Sequence, residues 1–162
     1  MFNEKKCALI LGLIFTAIGV AGFIPDLVTI SGGELAGGAP ISADQIPATT
    51  GANYSAAYMR GFGYLFGLFP TNLLHNIAHL AFGLFGLYSA TGDRGAFNYN
   101  RFFAISFLLL AILGLIPAAN TLFGIMPIFG NNVWLNAATG ALAAYYAFVW
   151  HKNNAEKLAS EL

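Results

Sequence analysis

Charged residues are absent between Lys6 and Asp26, between Arg60 and Asp93, and between Arg101 and Lys152. The stretches so enclosed are apolar without a break, and the last is long enough for two helices of about 20 residues with a turn between them. They show no alternation of polar and apolar positions, which excludes barrel strands, and backbone groups in lipid are then satisfied only within helices. The pattern predicts four transmembrane helices, at roughly residues 7–24, 71–90, 102–119 and 133–150. It describes an all-α polytopic protein whose residues 1–162 form a single membrane domain.

Composition agrees with that reading. The chain is 57% hydrophobic and only 9% charged, against about 25% charged in an ordinary soluble domain. Seven basic and seven acidic residues balance, and neither a basic stripe nor a glycine-rich phosphate loop is present, so nucleic acid and nucleotides are poor candidates as partners. The single cysteine, Cys7, rules out an internal disulfide and a thiolate cluster, and reads as a buried thiol near the cytoplasmic face. No nucleophile stands beside a base and no carboxylates are paired, so the sequence does not describe an enzyme.

Lys5, Lys6, Arg94, Arg101, Lys152 and Lys157 fall on one side of a four-helix arrangement and Arg60 on the other. Cytoplasmic loops retain basic residues, so both termini are expected in the cytoplasm. The apolar run after Lys6 is longer than a usual signal-peptide core, and Cys7 lacks the small preceding residues of a lipoprotein site. Trp134 near the outer face, with Tyr145, Tyr146 and Trp150 toward the inner one, fits interfacial anchoring.

The chain also repeats itself. Leu65-Phe66-Gly67-Leu68-Phe69-Pro70 recurs as Leu122-Phe123-Gly124-Ile125-Met126-Pro127, each time just before an apolar helix. Helices one and three end alike, in Gly22-Phe23-Ile24-Pro25 and Gly114-Leu115-Ile116-Pro117. These pairs predict two tandem hairpins, residues 7–90 and 102–150, related by a pseudo-two-fold axis along the membrane normal. The copies differ in the outer loop, residues 25–64, which carries Asp26, Glu34 and Asp44 in the first and has only a short uncharged counterpart in the second. Residues 53–69, rich in Tyr, Phe and Gly, suggest an interfacial stretch. Asn53-Tyr54-Ser55 matches a glycosylation acceptor, a three-residue pattern frequent by chance.

The one dense polar constellation inside a predicted span is Thr71-Asn72-Leu73-Leu74-His75-Asn76-Ile77-Ala78-His79. With Pro70 and Thr71 at the helix start, Asn72, His75, Asn76, His79, Gly83 and Gly86 share one helical stripe that faces protein rather than lipid. Asn132, Asn136 and Thr139 line the matching stripe of helix four and are expected to meet His75, Asn76 and His79. His75 and His79, at i,i+4 spacing, are candidate zinc or copper ligands. A third ligand is missing, since His151 lies at the other end and Asp26 is the nearest acid. One axial histidine would suffice for a tetrapyrrole, whereas a haem between two helices would not find its second. Passage of a small solute would use the same stripe, which turns apolar halfway down. The plain alternative is that these amides and imidazoles bond helix to helix. Small residues Gly12, Thr16, Gly19 and Gly22 on helix one, and Ala137, Gly140, Ala141 and Ala144 on helix four, read as packing faces.

The run from Leu65 to Gly83 resembles the signature of domain-of-unknown-function family 4383, small bacterial four-helix membrane proteins. The resemblance implies the architecture and a bacterial inner or internal membrane, and no function. In the family pattern the second repeat carries a proline and then Asp-Asn-aromatic-Leu-His. Here Asn132 takes the place of the aspartate and Asn136 that of the histidine, so a paired-histidine site between repeats would be half absent. Taken together, the sequence points to a non-enzymatic membrane module in contact with the bilayer. Its partner is a membrane protein or a second copy of itself. Ligand binding at His75 and His79 and a solute permease are the alternatives.

Overall fold

The computed structural model describes residues 3–29 and 63–154. Arg60, Lys157, Glu34, Asp44, the Asn53 acceptor and the first part of the expected interfacial stretch lie outside the described residues. Helix α1 spans Glu4–Ala21, with the Asn3 side chain accepting from the Lys6 amide at 3.0 Å as its cap. It gives way at Gly22 to a 3₁₀ turn, Pro25–Leu27, and to β1, Val28–Thr29. Strands β2, Gly63–Leu65, and β3, Phe69–Thr71, precede α2, Leu73–Ser89. Helix α3 runs Asp93–Gly114, and α4 covers Asn131–Ala144 and continues as a π-helical turn, Tyr145–Trp150.

The protein is mostly helical, but not wholly so. Strands β1, β2 and β3 form an antiparallel sheet in that order, with Val28 opposite Leu65 and Tyr64 opposite Pro70. The all-α expectation fails here because Pro70 and Thr71, read as the start of a helix, belong to an edge strand, the one sheet position where a missing amide proton is tolerated. The helix begins only after Asn72. The turn between β2 and β3 carries Phe66 and Gly67 at φ 53° and 69°. The related motif carries Phe123 and Gly124 at φ 59° and 90°, so the same unusual backbone occurs at both.

Helix α3 starts at Asp93 rather than near residue 102. Its polar first turns are held by packing, for Ala96, Tyr99 and Asn100 are buried and Asn100 Nδ2 donates to the Glu4 carbonyl at 3.0 Å. It ends at Gly114, before Pro117, rather than near residue 119. This helix, of 22 residues, is the one among the described residues long and apolar enough to cross a membrane by itself. Helix α1 carries Glu4, Lys5 and Lys6 in its first turn, and α2 has 17 residues.

Helices α1 and α2 pack as one antiparallel pair, α3 and α4 as another, with α1 against α3 between them. Glycines set the approach. A Cβ on Gly83 would strike the backbone of Thr16, and one on Gly140 would press on Leu108. A Cβ on Gly22 would strike the Asn76 side chain, and one on Gly114 would strike Val133 and the Ile128 carbonyl. Aligning Phe66-Gly67 with Phe123-Gly124, and Gly22 with Gly114, superposes the partners in each case, so each contact is made twice. Gly12 and Gly19 also lie on the α2 backbone, as the small-residue face of α1 predicts. On α4 the buried face is Asn132, Val133, Asn136, Thr139, Gly140 and Ala143, while Ala141 is exposed. The expected small-residue face is therefore rotated toward Asn136 and Thr139.

The core between the pairs is aromatic. Phe15 meets Phe103 and Phe107 edge-on at 5.1 Å and 4.9 Å, and Cys7, Leu11 and Tyr99 complete the buried cluster. The outer faces are apolar as well. Leu9, Leu13 and Val20 of α1, Leu84 and Phe85 of α2, Ile105, Leu109 and Ile112 of α3, and Trp134 and Val149 beyond them are exposed.

Because the Thr16 backbone cannot move aside for a methyl group at Gly83, Gly83→Ala should cost about 1–3 kcal/mol, seen as a lower unfolding midpoint in lipid nanodiscs. Gly92, the cap of α3, has open space around its Cβ direction, so Gly92→Ser should leave the midpoint unchanged or raise it.

Candidate functional site

The site grows from helix and strand ends whose carbonyls have no partner in their own element. Asn72 caps α2, its Oδ1 accepting from the His75 amide at 2.9 Å. Its Nδ2 reaches across to donate to the Ile125 carbonyl at 2.8 Å, in the turn that precedes α4. One turn into α2, Asn76 Nδ2 donates to the Gly22 carbonyl at 2.8 Å, and its Oδ1 accepts from the Thr71 hydroxyl at 2.6 Å. Asn76 thus closes the end of α1 onto the start of α2.

The return connection comes from α4. Asn132 Nδ2 donates to the Pro70 carbonyl at 2.7 Å and to the Pro127 carbonyl at 3.0 Å, and the exposed Asn131 donates to the Leu68 carbonyl at 3.0 Å. These two amides cover the turn and the edge strand β3, whose outward carbonyls would otherwise face an apolar end of the bundle. Asn72, Asn76 and Asn132 are all buried. The bonds cross in both directions, Asn72 toward the segment before α4 and Asn132 back toward β3.

The imidazoles lie beside this layer. His75 and His79 are 4% and 5% exposed, with ring centroids 4.2 Å apart and planes inclined at 49°. The His79 ring also meets Phe15 edge-on at 5.1 Å. Among the described residues, neither Nδ1 atom has a hydrogen-bond partner, and the same holds for Asn136 Nδ2 and Asn132 Oδ1. Asn132 and Asn136 occupy the positions in α4 that His75 and His79 occupy in α2.

The six expected residues Asn72, His75, Asn76, His79, Asn132 and Asn136 are therefore buried at the same end of the bundle as the α1 terminus at Gly22. The expected pairing of Asn132, Asn136 and Thr139 with His75, Asn76 and His79 is not what binds them. Asn76 and Asn132 donate to backbone carbonyls, and the Thr139 hydroxyl bonds back to Leu135 at 2.6 Å within its own helix. Those acceptors left no trace in the side-chain pattern. Thr71 was visible, but as a helix start rather than as a donor to Asn76.

His151 sits at the opposite end, where its Nδ1 is 2.8 Å from Glu4 Oε1 and its ring stacks on Phe97 at 4.2 Å. The Lys5 and Asp93 side chains pair there too, at 3.0 Å. Neither pair was anticipated, although Glu4 and His151 both flank apolar runs. Among the described residues, no group of three or more His, Cys, Asp or Glu side chains gathers around a common point.

Replacing Asn132 removes one donor from two buried carbonyls. Asn132→Leu should destabilise the protein by about 1–3 kcal/mol, and Asn131→Leu, at an exposed position, by no more than about 0.5 kcal/mol. Thermal unfolding of both variants in nanodiscs, followed by circular dichroism, checks the difference.

No curated protein and no solved structure matches the chain. A family match does cover nearly all of it, over residues 5–149, spanning all four helices, both Phe-Gly turns and the whole amide and imidazole layer. The chain belongs to the family described as Domain of unknown function (DUF4383).

Proposed function

We propose that the protein is a four-span membrane module made of two tandem helical hairpins, and that it works by binding rather than by catalysis. The observation that carries the proposal is the distribution of polarity: large apolar side chains cover the outward faces of all four helices, while His75, Asn76, His79, Asn100, Asn132 and Asn136 are buried inside. In water that arrangement exposes far more apolar surface than a small monomer normally shows. In a bilayer it places apolar groups against lipid and satisfies the polar ones within protein.

The lengths support it. Helix α1 with the turn after it, α2 with its strand, and α4 with its π-helical extension each approach the reach of α3. The repeated close contacts, Thr16 on Gly83 and Leu108 on Gly140, support descent from one duplicated hairpin. The cluster of Lys5, Lys6, Arg94 and Lys152 at one end supports cytoplasmic termini. A bundle so small, with its polar groups used to join its own segments, suits an accessory subunit whose lipid-facing helices meet a larger membrane protein.

Two measurements test the proposal. An impermeant maleimide applied to intact bacterial cells should label Phe123→Cys and spare Thr91→Cys, and equal labelling of both would overturn the four-span arrangement. Extraction in native nanodiscs followed by mass determination should find another chain, or a second copy, with the protein. A single 17.2 kDa chain alone would overturn the accessory role.

A further inference from the structure

The outward face of α3 carries charge where the helix should meet lipid. Arg94, Asn98 and Arg101 are exposed and stand at i, i+4 and i+7, so they lie one above another on a single stripe. That stripe continues as the exposed Ile105, Leu109 and Ile112. Arg101 stands roughly 12 Å along the helix from Asp93, at about 1.5 Å of rise per residue. Counted back from Ile116, exposed at the other end, a hydrocarbon layer of about 30 Å reaches to about residue 96. Arg101 therefore lies inside the apolar layer and Arg94 at its edge.

No carboxylate answers this charge. Among the described residues neither guanidinium has an ion-pair partner: Asp93 pairs with Lys5, the Glu4 carboxylate meets the His151 ring, and Asp26 belongs to the far end. Arg94, in the first turn, also stands at the end of the helix dipole that disfavours a cation. A cation facing acyl chains is costly and is stabilised by an anion drawn to it. Guanidinium forks match phosphate two bonds at a time.

We infer that Arg94 and Arg101, with the Asn98 amide between them, bind the phosphate of an anionic phospholipid of the cytoplasmic leaflet, whose acyl chains lie along Ile105, Leu109 and Ile112. Two positive charges over one phosphate favour a lipid of net negative charge over a zwitterionic one, whose ammonium group they repel. The inference rests on the membrane-spanning reading above and adds to it one lipid class at one place.

The test uses the full-length protein in phosphatidylcholine bilayers, with phosphatidylglycerol or phosphatidylcholine spin-labelled on an acyl chain as the probe. Electron paramagnetic resonance separates lipid held at the protein from bulk lipid. The wild type should hold phosphatidylglycerol at least about threefold over phosphatidylcholine, since one basic residue at a membrane surface contributes about fivefold. Arg94→Gln combined with Arg101→Gln should bring the ratio to about one. Lys152→Gln, which removes a basic charge beyond α4 at the same end, should leave it in place. No preference in the wild type, a preference unchanged in the double variant, or an equal loss in Lys152→Gln would each overturn the inference. So would loss of the preference on adding inorganic phosphate at constant ionic strength, because the site would then take free phosphate. Phosphatidylcholine held equally by the wild type and the double variant shows that both are folded and face lipid, so a missing preference then counts against the arginine site alone. No held lipid of either kind would overturn the membrane reading together with the inference.

Discussion

A carbonyl that ends a helix or strand in apolar surroundings must find a donor, because no water is at hand to supply one. In this fold the need is concentrated at one end. Gly22 closes α1, Pro70 lies in an edge strand, and Ile125 and Pro127 lie in the turns before α4. Three buried asparagines answer it, Asn72, Asn76 and Asn132, with Nδ2 to carbonyl distances from 2.7 to 3.0 Å. Each such bond in a membrane protein contributes roughly 0.5–2 kcal/mol, but their placement matters more than their sum. Asn72 and Asn132 tie the turns of one hairpin to those of the other, which is where two helical pairs in apolar surroundings would most easily part, while Asn76 closes the first hairpin on itself.

The rest of the structure follows from bringing those ends together. For Asn76 to reach the Gly22 carbonyl, α1 and α2 must approach until their backbones touch, and Gly12, Gly19 and Gly83 allow that approach. The aromatic core of Phe15, Phe103 and Phe107 then fills the space between the pairs. The far end is closed differently, by the Lys5–Asp93 ion pair, by the Glu4 carboxylate against the His151 ring, and by Asn100 on the Glu4 carbonyl. Among the described residues, one end is thus held by neutral amides and the other by charged side chains.

Much of this was legible in the sequence. Uninterrupted apolar stretches located four helices, the glycines of α1 and α2 announced a close pairing, and the polar run from Asn72 to His79 marked the buried layer before any coordinates. The recurrence of Phe66-Gly67 as Phe123-Gly124 proved to be a recurrence of backbone conformation. What stayed hidden has a common physical cause: side-chain patterns do not display backbone acceptors. The asparagines could be seen, but not the Gly22, Pro70, Ile125 and Pro127 carbonyls that they bind, so histidines seemed the natural partners. The short sheet was missed for a related reason. Strands of two or three residues give no readable alternation, and a proline before a helical run resembles a helix start more than an edge strand. The start of α3 is hidden by its charges, Asp93, Arg94 and Arg101, which do not end the helix because packing of Ala96, Tyr99 and Asn100 carries it through.

The central claim is that asparagine amides on backbone carbonyls hold the two hairpins together, and the side-chain amide protons report on it directly. In bicelles, exchange of the Asn72 and Asn132 Nδ2 protons with deuterium, followed by NMR, should be slower by orders of magnitude than that of the exposed Asn131 amide. If the Asn72 and Asn132 protons exchange as fast as those of Asn131, the amides are not held on those carbonyls, and the account of what joins the hairpins is wrong.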